Sequence, residues 1–595
     1  MDGELLLALA SRPRLWCHGS MRKTRSLCPL FFLAALLPSP ACGGGGDGHD
    51  AAGEDAEIGE EAAEEEIPEE DGAVDPDVAA DGDVEEEEEA ELPPTLCESL
   101  GLSSRPFAVA EVLPGLGDIA PDFTAPTTAG DWTLSESWTG CDVFLIIQDE
   151  PGQIVDPPVP LWERDVDALL AVSPRNAHYL FVSTAPAEDA RLEALAALET
   201  RMQAALAGMS AEDAAWWAGR IHYVTAQPAE FPGWPAIPLV DPGWGLGIDR
   251  FQRVRFIGYY GDPRRTSTGD FAPNLSMAAN EALYYNFEAE RQDRLDAEDA
   301  VVIPVFEGEV LSDPGWAGER GFAQVALPDA ADMAAFDTLE LDLTLACEGE
   351  GEYGDCPAWD YIATLYLCDE ADPDTCDVEM GRWITTYHRE GRWVHDVSGL
   401  LPLIAGGGER RLAFYTQQPY EVRLDLRLST LGREVRPVDS VFLFAGGAFD
   451  AAYNDLFLPV TVAVPSEASR VELATVISGH GQVMPENCAE FCVTTHHFTV
   501  NGSENVLSLS NAGTIDGCMR RVGEEGNVPN QYGTWWYGRS GWCPGLEVPM
   551  VMTDVTDQVV PGADAVIEYQ GFYDGAPYPR GGASIVMSSW LVVSM

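Results

Sequence analysis

With 595 residues, the chain is longer than one hydrophobic core organises, so two to four domains are expected. Its hydrophobic fraction of 46% and 16 tryptophans supply ample material for globular cores. Its 99 acidic residues against 33 Lys and Arg leave a formal charge of -66, which argues against nucleic acid as a partner.

From Met21, a basic stretch (Arg22, Lys23, Arg25) leads into an apolar run over 30–37 and then Pro38-Ser39-Pro40-Ala41-Cys42. This pattern is similar to a bacterial lipoprotein signal. The resemblance implies a diacylated Cys42, cleavage just before it, Met21 as the true start, and an exported protein lipid-anchored to a bacterial membrane, at the outer membrane or cell surface. Ser39 stands where that family has Leu, and a plain secretory signal without lipid is the alternative. The apolar run is too short to predict a spanning helix. Residues 1–42 are thus assigned to the signal region. Residues 43–97 are nearly all Asp, Glu, Ala, Gly and Pro, too poor in apolar surface to offset chain entropy, and read as an acidic disordered linker.

Residues 98–295 read as α/β. Apolar strands are predicted at 143–147, 179–182, 221–224 and 254–257, alternating with helical periodicity, most clearly over 190–206. The segment Gly117-Asp118-Ile119-Ala120-Pro121-Asp122-Phe123, followed by Gly130, Trp132 and Leu134, is similar to the entry of peroxiredoxin-like thioredoxin folds. Where that family places its reactive cysteine, this chain has Gln148-Asp149-Glu150-Pro151-Gly152, so the domain is expected to lack redox cysteines. Cys141 is expected to be a buried structural residue.

From about residue 301, strands recur every 8 to 12 residues with Gly, Pro and Asn punctuation, the pattern of β-sandwiches. Strands are predicted at 339–345, 362–367, 411–415, 422–426, 460–464 and 498–500, with Asn501-Gly502 as a hairpin turn. Gly446-Gly447 is read as the division between sandwiches at 301–445 and 446–595. The expected architecture is a multidomain chain, a thioredoxin-like α/β domain followed by two mostly-β jelly-roll sandwiches.

Three segments carry chemistry. The first runs from Cys347 to Cys356 and on through Pro357-Ala358-Trp359-Asp360. The second combines Ile477-Ser478-Gly479-His480-Gly481 with Cys488-Ala489-Glu490-Phe491-Cys492. The third is Arg539-Ser540-Gly541-Trp542-Cys543-Pro544-Gly545, and Gly381-Arg382-Trp383-Ile384-Thr385 is a smaller match. In order and spacing these resemble the peptide-N-glycosidase F family over residues 335–593. An extended strand would hold the α-carbons of Cys488 and Cys492 about 13 Å apart, whereas a disulfide needs under about 7 Å. A bond there forces a tight turn with Glu490 at its apex, a placement suited to acid/base work.

The resemblance implies an amidohydrolase that cleaves the amide joining N-acetylglucosamine to asparagine in N-glycopeptides or glycoproteins, leaving Asp, without a metal or cofactor. It makes Asp360 the principal catalytic residue, with Glu490 assisting. It implies Arg539 as a sugar-binding residue and places Trp359, Tyr361, His480 and Trp542 along the substrate. Trp542 is read either as a flat face for a pyranose or as a core aromatic. Disulfides Cys347–Cys356, Cys488–Cys492 and Cys518–Cys543 follow the family, while Cys368–Cys376 rests on proximity alone.

The departures are specific. At the third catalytic position the family has a glutamate, and this chain has Gln417, an amide that cannot serve as acid or base; Glu421 is the nearby carboxylate that could replace it. Tyr361 stands for the family's Arg and His480 for its Trp. The alternative reading, favoured by Gln417, is a catalytically weak or inactive cell-surface protein that binds glycoconjugates. His496 and His497, adjacent on a predicted strand, would point to opposite faces and so do not suggest a metal.

Overall fold

The computed structural model describes residues 94–595 except 111–114, 150–160, 164, 228–229, 232–244, 258–273, 312–318, 350 and 530–533. The signal segment with Cys42, nearly all of the acidic linker, and Glu150-Pro151-Gly152 lie outside the described residues.

The first folded portion is a seven-stranded mixed sheet. Its order is Gly130–Thr133, Thr124–Thr127, Ile221–Val224, Ala177–Val182, Val143–Gln148, Gly245–Ile248 and Val254–Phe256. The three central strands are parallel, and the remaining pairings are antiparallel. Every residue of Val143–Gln148 and Ala177–Val182 is buried, as expected of parallel strands covered on both faces, which is why both read as continuous apolar runs. Helix Glu188–Leu206 opens with Glu188 and Asp189, whose charge suits the positive end of the helix dipole. Cys141 is buried as expected, and it is bonded to Cys97, 44 residues away.

Helix Ala279–Ala297 leads from this sheet into the first sandwich. One sheet of that sandwich has the order Gly391–Asp396, Thr338–Ala346, Tyr420–Ser429, Ala300–Leu311. The other has the order Leu546–Glu547, Cys376–Ile384, Ile362–Cys368, Gly407–Thr416, Glu319–Asp329. Leu339, Leu341, Leu343 and Leu345 alternate along Thr338–Ala346 into the core against Trp383 and Phe414 of the facing sheet. The opposite face of that strand is polar, with Glu340 and Asp342, yet it is also buried. Helix Ala279–Ala297 covers it: Arg294 donates to Glu340 at 2.7 Å and Arg291 to the carbonyl of Arg392, whose own guanidinium grips Asp342.

The second sandwich pairs two four-stranded sheets. One has the order Pro437–Phe449, Ala583–Ser594, Arg470–His480, Met550–Asp554; the other is Val460–Ala463, Asp564–Tyr573, Thr494–Val500, Ser503–Ser508. Asn501 and Gly502 turn the last hairpin at φ +48° and +85°, the left-handed geometry this dipeptide favours. Gly446-Gly447 does not divide the sandwiches. The pair lies inside strand Pro437–Phe449 at a register shift, and a side-chain carbon on Gly446 would sit 2.0 Å from the carbonyl oxygen of Ile585, so close backbone approach explains the glycine.

All four disulfides expected from the sequence are formed in the β half: Cys347–Cys356, Cys368–Cys376, Cys488–Cys492 and Cys518–Cys543. Among the described residues no helix is long and apolar enough to cross a membrane.

Candidate active site

Asp360 stands immediately before strand Ile362–Cys368 of the first sandwich, in a turn fixed by Thr385. The Thr385 hydroxyl donates to the carbonyl of Trp359 at 3.0 Å and accepts from the amide of Tyr361 at 2.8 Å. The side chain of Asp360 accepts a 2.7 Å hydrogen bond from the hydroxyl of Tyr387, two residues beyond Thr385. Burial pushes the Asp360 carboxyl up from its ordinary range, against the opposing pull of Arg539 and the Tyr387 bond.

Glu490 comes from the second sandwich. The short hairpin Gln482–Val483 with Cys488–Ala489 and the Cys488–Cys492 bond close a turn in which the α-carbons of the two cysteines are 4.9 Å apart. The backbone of Glu490 is held on both sides: its amide donates to Gly481 at 3.0 Å and its carbonyl accepts from Ser540 at 2.8 Å. Its carboxyl is pushed up to about 7, chiefly by burial, with Asp360 adding to the rise while Arg539 and the Gln482 side chain oppose it.

Arg539 joins the two. Its guanidinium lies 3.7 Å from Asp360 Oδ2 and 3.7 Å from Glu490 Oε1, and the residue is 1% exposed. It is oriented by carbonyl oxygens of Thr534 at 2.8 Å and Tyr537 at 2.6 Å, and it sits over the rings of Phe491 and Trp542. The segment carrying it is stapled by Cys518–Cys543 and anchored by the buried Trp535, Trp536 and Trp542. Two carboxyls with raised proton affinity, on rigid supports and flanking a fixed cation, are equipped to exchange protons, Glu490 near neutrality, and to stabilise developing negative charge.

A second buried network sets the spacing between the sandwiches. Arg382 of strand Cys376–Ile384 donates to Ser478 at 2.8 Å, to the carbonyl of Val586 at 2.9 Å and to Glu379 at 2.6 Å; Ser588 also donates to Glu379 at 2.6 Å. His480 shares a 2.8 Å hydrogen bond with Ser478, stacks on Trp542, and is held neutral by burial, which lowers its pKa to about 3.

The remaining candidates divide. Trp359, next to Asp360 in the chain, is 55% exposed and packs at a steep 71° angle to the ring of Tyr387, with centroids 6.4 Å apart. Tyr361 is 7% exposed and shows little of its ring. Trp542 does not offer a sugar platform: it is 3% exposed, its ring nitrogen donates to Gly479 at 2.7 Å, and His480 and Arg539 lie against it, so the core reading holds. Gln417 lies beside the site, its amide oxygen accepting from the backbone of Ile362 at 3.2 Å. Glu421 does not replace it, because its carboxylate is paired with Arg423 along strand Tyr420–Ser429. His497 pairs with Glu504 and His496 with the buried Tyr569; no described group of three metal-ligating side chains is assembled. Tyr387 was not singled out from the sequence. Its only signal is its place two residues past the Gly381–Thr385 match.

The description "Peptide-N-glycosidase F, C terminal" belongs to the family model that matches residues 452–593. A curated relative, peptide-N(4)-(N-acetyl-beta-D-glucosaminyl)asparagine amidase F of Elizabethkingia miricola, is 26% identical over 267 residues, spanning 40% of this chain and 69% of the relative. Among solved structures, PNGase F of Flavobacterium meningosepticum is similar at 21% identity and a TM-score of 0.42, over 50% of this chain and 96% of that one. PNGF-II is similar at 15% identity and a TM-score of 0.38, over 60% and 76%. Over its C-terminal part the chain is thus similar to peptide-N-glycosidase F, with residues 452–593 matching that family's C-terminal model.

Proposed function

We propose that this protein is an amidohydrolase acting on N-linked glycopeptides or glycoproteins. It cleaves the bond between asparagine and the first N-acetylglucosamine, converts the asparagine to aspartate and releases the glycan as a glycosylamine. The observation that carries this reading is the convergence of Asp360 and Glu490, from different sandwiches, on the buried guanidinium of Arg539. Asp360, ionised beside Arg539, accepts a proton from a water molecule as the water oxygen bonds to the amide carbon. Glu490, protonated below about pH 7, gives its proton to the departing nitrogen as the carbon–nitrogen bond breaks. Arg539 faces the negative charge that builds on the reacting carboxamide. The exposed indole of Trp359 packs against the first sugar ring. Mass spectrometry of a glycopeptide incubated with the protein tests the reading: aspartate at the former glycosylation site supports it, and intact glycopeptide refutes it.

The finer assignments belong to the same proposal. The two sandwiches, which divide before strand Pro437–Phe449, are read as jelly rolls. Residues 98–295 are read as a thioredoxin-like domain without redox cysteines, consistent with a Cys141 already bonded to Cys97. The lipoprotein-like signal preceding Cys42 supports an exported enzyme held on a lipid anchor at Cys42, checked by fractionation of a Cys42→Ala protein, which should leave the membrane; continued membrane retention contradicts the anchor.

Gln417 favours a weaker catalyst or a binding protein, because an amide sits where the family has a carboxylate. Glutamate can keep the hydrogen bond from Ile362 with little change of shape. A positioned acid or base contributes about 10²- to 10⁴-fold, so Gln417→Glu should raise the cleavage rate by up to that order. A neutral or harmful effect on a fast wild type would show that two carboxyls suffice. If neither protein cleaves but both bind glycopeptide, the binding reading replaces the enzyme.

A further inference from the structure

The α/β portion reaches the candidate site through a buried charge network. Glu281, on helix Ala279–Ala297 and 0% exposed, accepts from Arg389 at 2.8 and 3.2 Å. Arg389, 1% exposed, also donates to the carbonyl of Pro529 at 2.8 Å and lies 3.6 Å from Glu352. Glu352 belongs to the Cys347–Cys356 loop that leads into Trp359-Asp360. Its carboxylate accepts from Arg255 at 2.8 Å and from the backbone of Phe256, both on the last strand of the α/β sheet. Arg255 binds Asp249 and Glu288 as well, and Phe256 stacks on Tyr353 of the loop at 3.9 Å.

Arg389 is two residues from Tyr387, the hydrogen-bond donor to Asp360. Between them His388 takes a left-handed φ of +56°. Its amide donates to Pro357 at 3.0 Å and its carbonyl accepts from Gly354 at 2.8 Å, while the amide of Glu390 donates to Glu352 at 3.0 Å. The Tyr387 segment is thereby clamped to the loop before Asp360, and Glu281 fixes the far end of the clamp. A fully buried ion pair is a poor source of stability compared with apolar packing, so its expected contribution here is geometric definition.

We propose that the α/β domain is a working part of the amidase, its Glu281 acting through Arg389 as a positioning residue for the Tyr387–Asp360 pair. This rests on the reading of Asp360 as the catalytic carboxylate. The groups that set the charge state of Asp360 are Tyr387, Arg539, Glu490 and Tyr361; those around Glu281 and Arg389 are Glu352, Arg255, Glu288, Tyr284, Tyr285 and Glu390.

The test uses the full chain with Glu281→Gln, measuring glycopeptide kinetics across pH. Displacement of a catalytic group by about 1 Å can cost on the order of 100-fold, so kcat should fall about 10- to 100-fold with KM within about twofold. The Tyr387 bond lowers the Asp360 pKa, so loosening it should move the acidic limb of kcat/KM to higher pH. A lower melting temperature with unchanged kcat and pH profile overturns the proposal. Should Glu281→Gln fail to fold, Glu281→Asp keeps the charge and shortens its reach; the same two changes at smaller size support the proposal, and wild-type kinetics overturn it. If the wild type cleaves no glycopeptide, the functional reading fails by itself. Hydrogen exchange over residues 385–390 then decides the inference: faster exchange in the variant supports the clamp and unchanged exchange removes it.

Discussion

Asp360→Asn is expected to abolish glycopeptide cleavage and to leave the protein folded. The substitution keeps the shape and still lets the side-chain oxygen accept from Tyr387 at the 2.7 Å position, but it removes the proton acceptor and the charge 3.7 Å from Arg539. Loss of a positioned base costs about 10²- to 10⁴-fold, and here the same group also balances the buried Arg539 guanidinium that faces both carboxyls, so turnover should drop to background. Stability should move the other way or not at all. Burial makes ionisation of Asp360 costly, and a neutral isostere relieves that cost, although it also leaves Arg539 with one fewer counter-charge. Initial rates and thermal melting on the same preparation check both halves; unchanged turnover would remove Asp360 from the mechanism.

Glu490→Gln should lower kcat by about 10²- to 10⁴-fold as well, and its pH behaviour distinguishes it. In the wild type the Glu490 carboxyl titrates at about 7, above the ordinary value of 4.5. A raised carboxyl stabilises the fold while it is protonated: that contribution is complete below about pH 4.5 and is lost as pH climbs to about 7. The glutamine variant has no such loss, so its melting temperature relative to wild type should rise between pH 4.5 and 7. If Glu490 is the proton donor, the alkaline limb of the wild-type rate near pH 7 should vanish in the residual activity of the variant. Because Asp360 and Glu490 share Arg539, the limbs belong to the coupled pair, and each substitution should displace the other's. A variant whose rate falls but keeps both limbs would assign the proton to another group.

The sequence was most legible where chemistry is local. Cys488 and Cys492 are close enough in the chain that a bond between them implies the turn presenting Glu490, and the structure has that turn. Asp360 was visible because a motif and a strand start coincide. The alternation of Leu339, Leu341, Leu343 and Leu345 marked a core face, but nothing in that stretch revealed that the polar face would also be covered, since its cover comes from helix Ala279–Ala297. Non-local pairing hid the rest. Tyr387 meets Asp360 from 27 residues away and Arg389 meets Glu281 from 108, neither with a spacing that periodicity can register. Trp542 could not be divided between sugar platform and core without knowing that His480 and Arg539 lie against it. Gly446-Gly447 looked like a boundary because two glycines commonly punctuate, whereas here a neighbouring strand leaves no room for a side chain.

The central claim is that water attacks the glycosylated asparagine at Asp360. Mass spectrometry of a single-site N-glycopeptide incubated in heavy-oxygen water with the wild type and with Asp360→Asn tests it most directly. The expected result is aspartate carrying one heavy oxygen with the wild type and intact glycopeptide with the variant. A peptide returned with unmodified asparagine and the glycan cut within its sugars, or equal conversion by the variant, would contradict it.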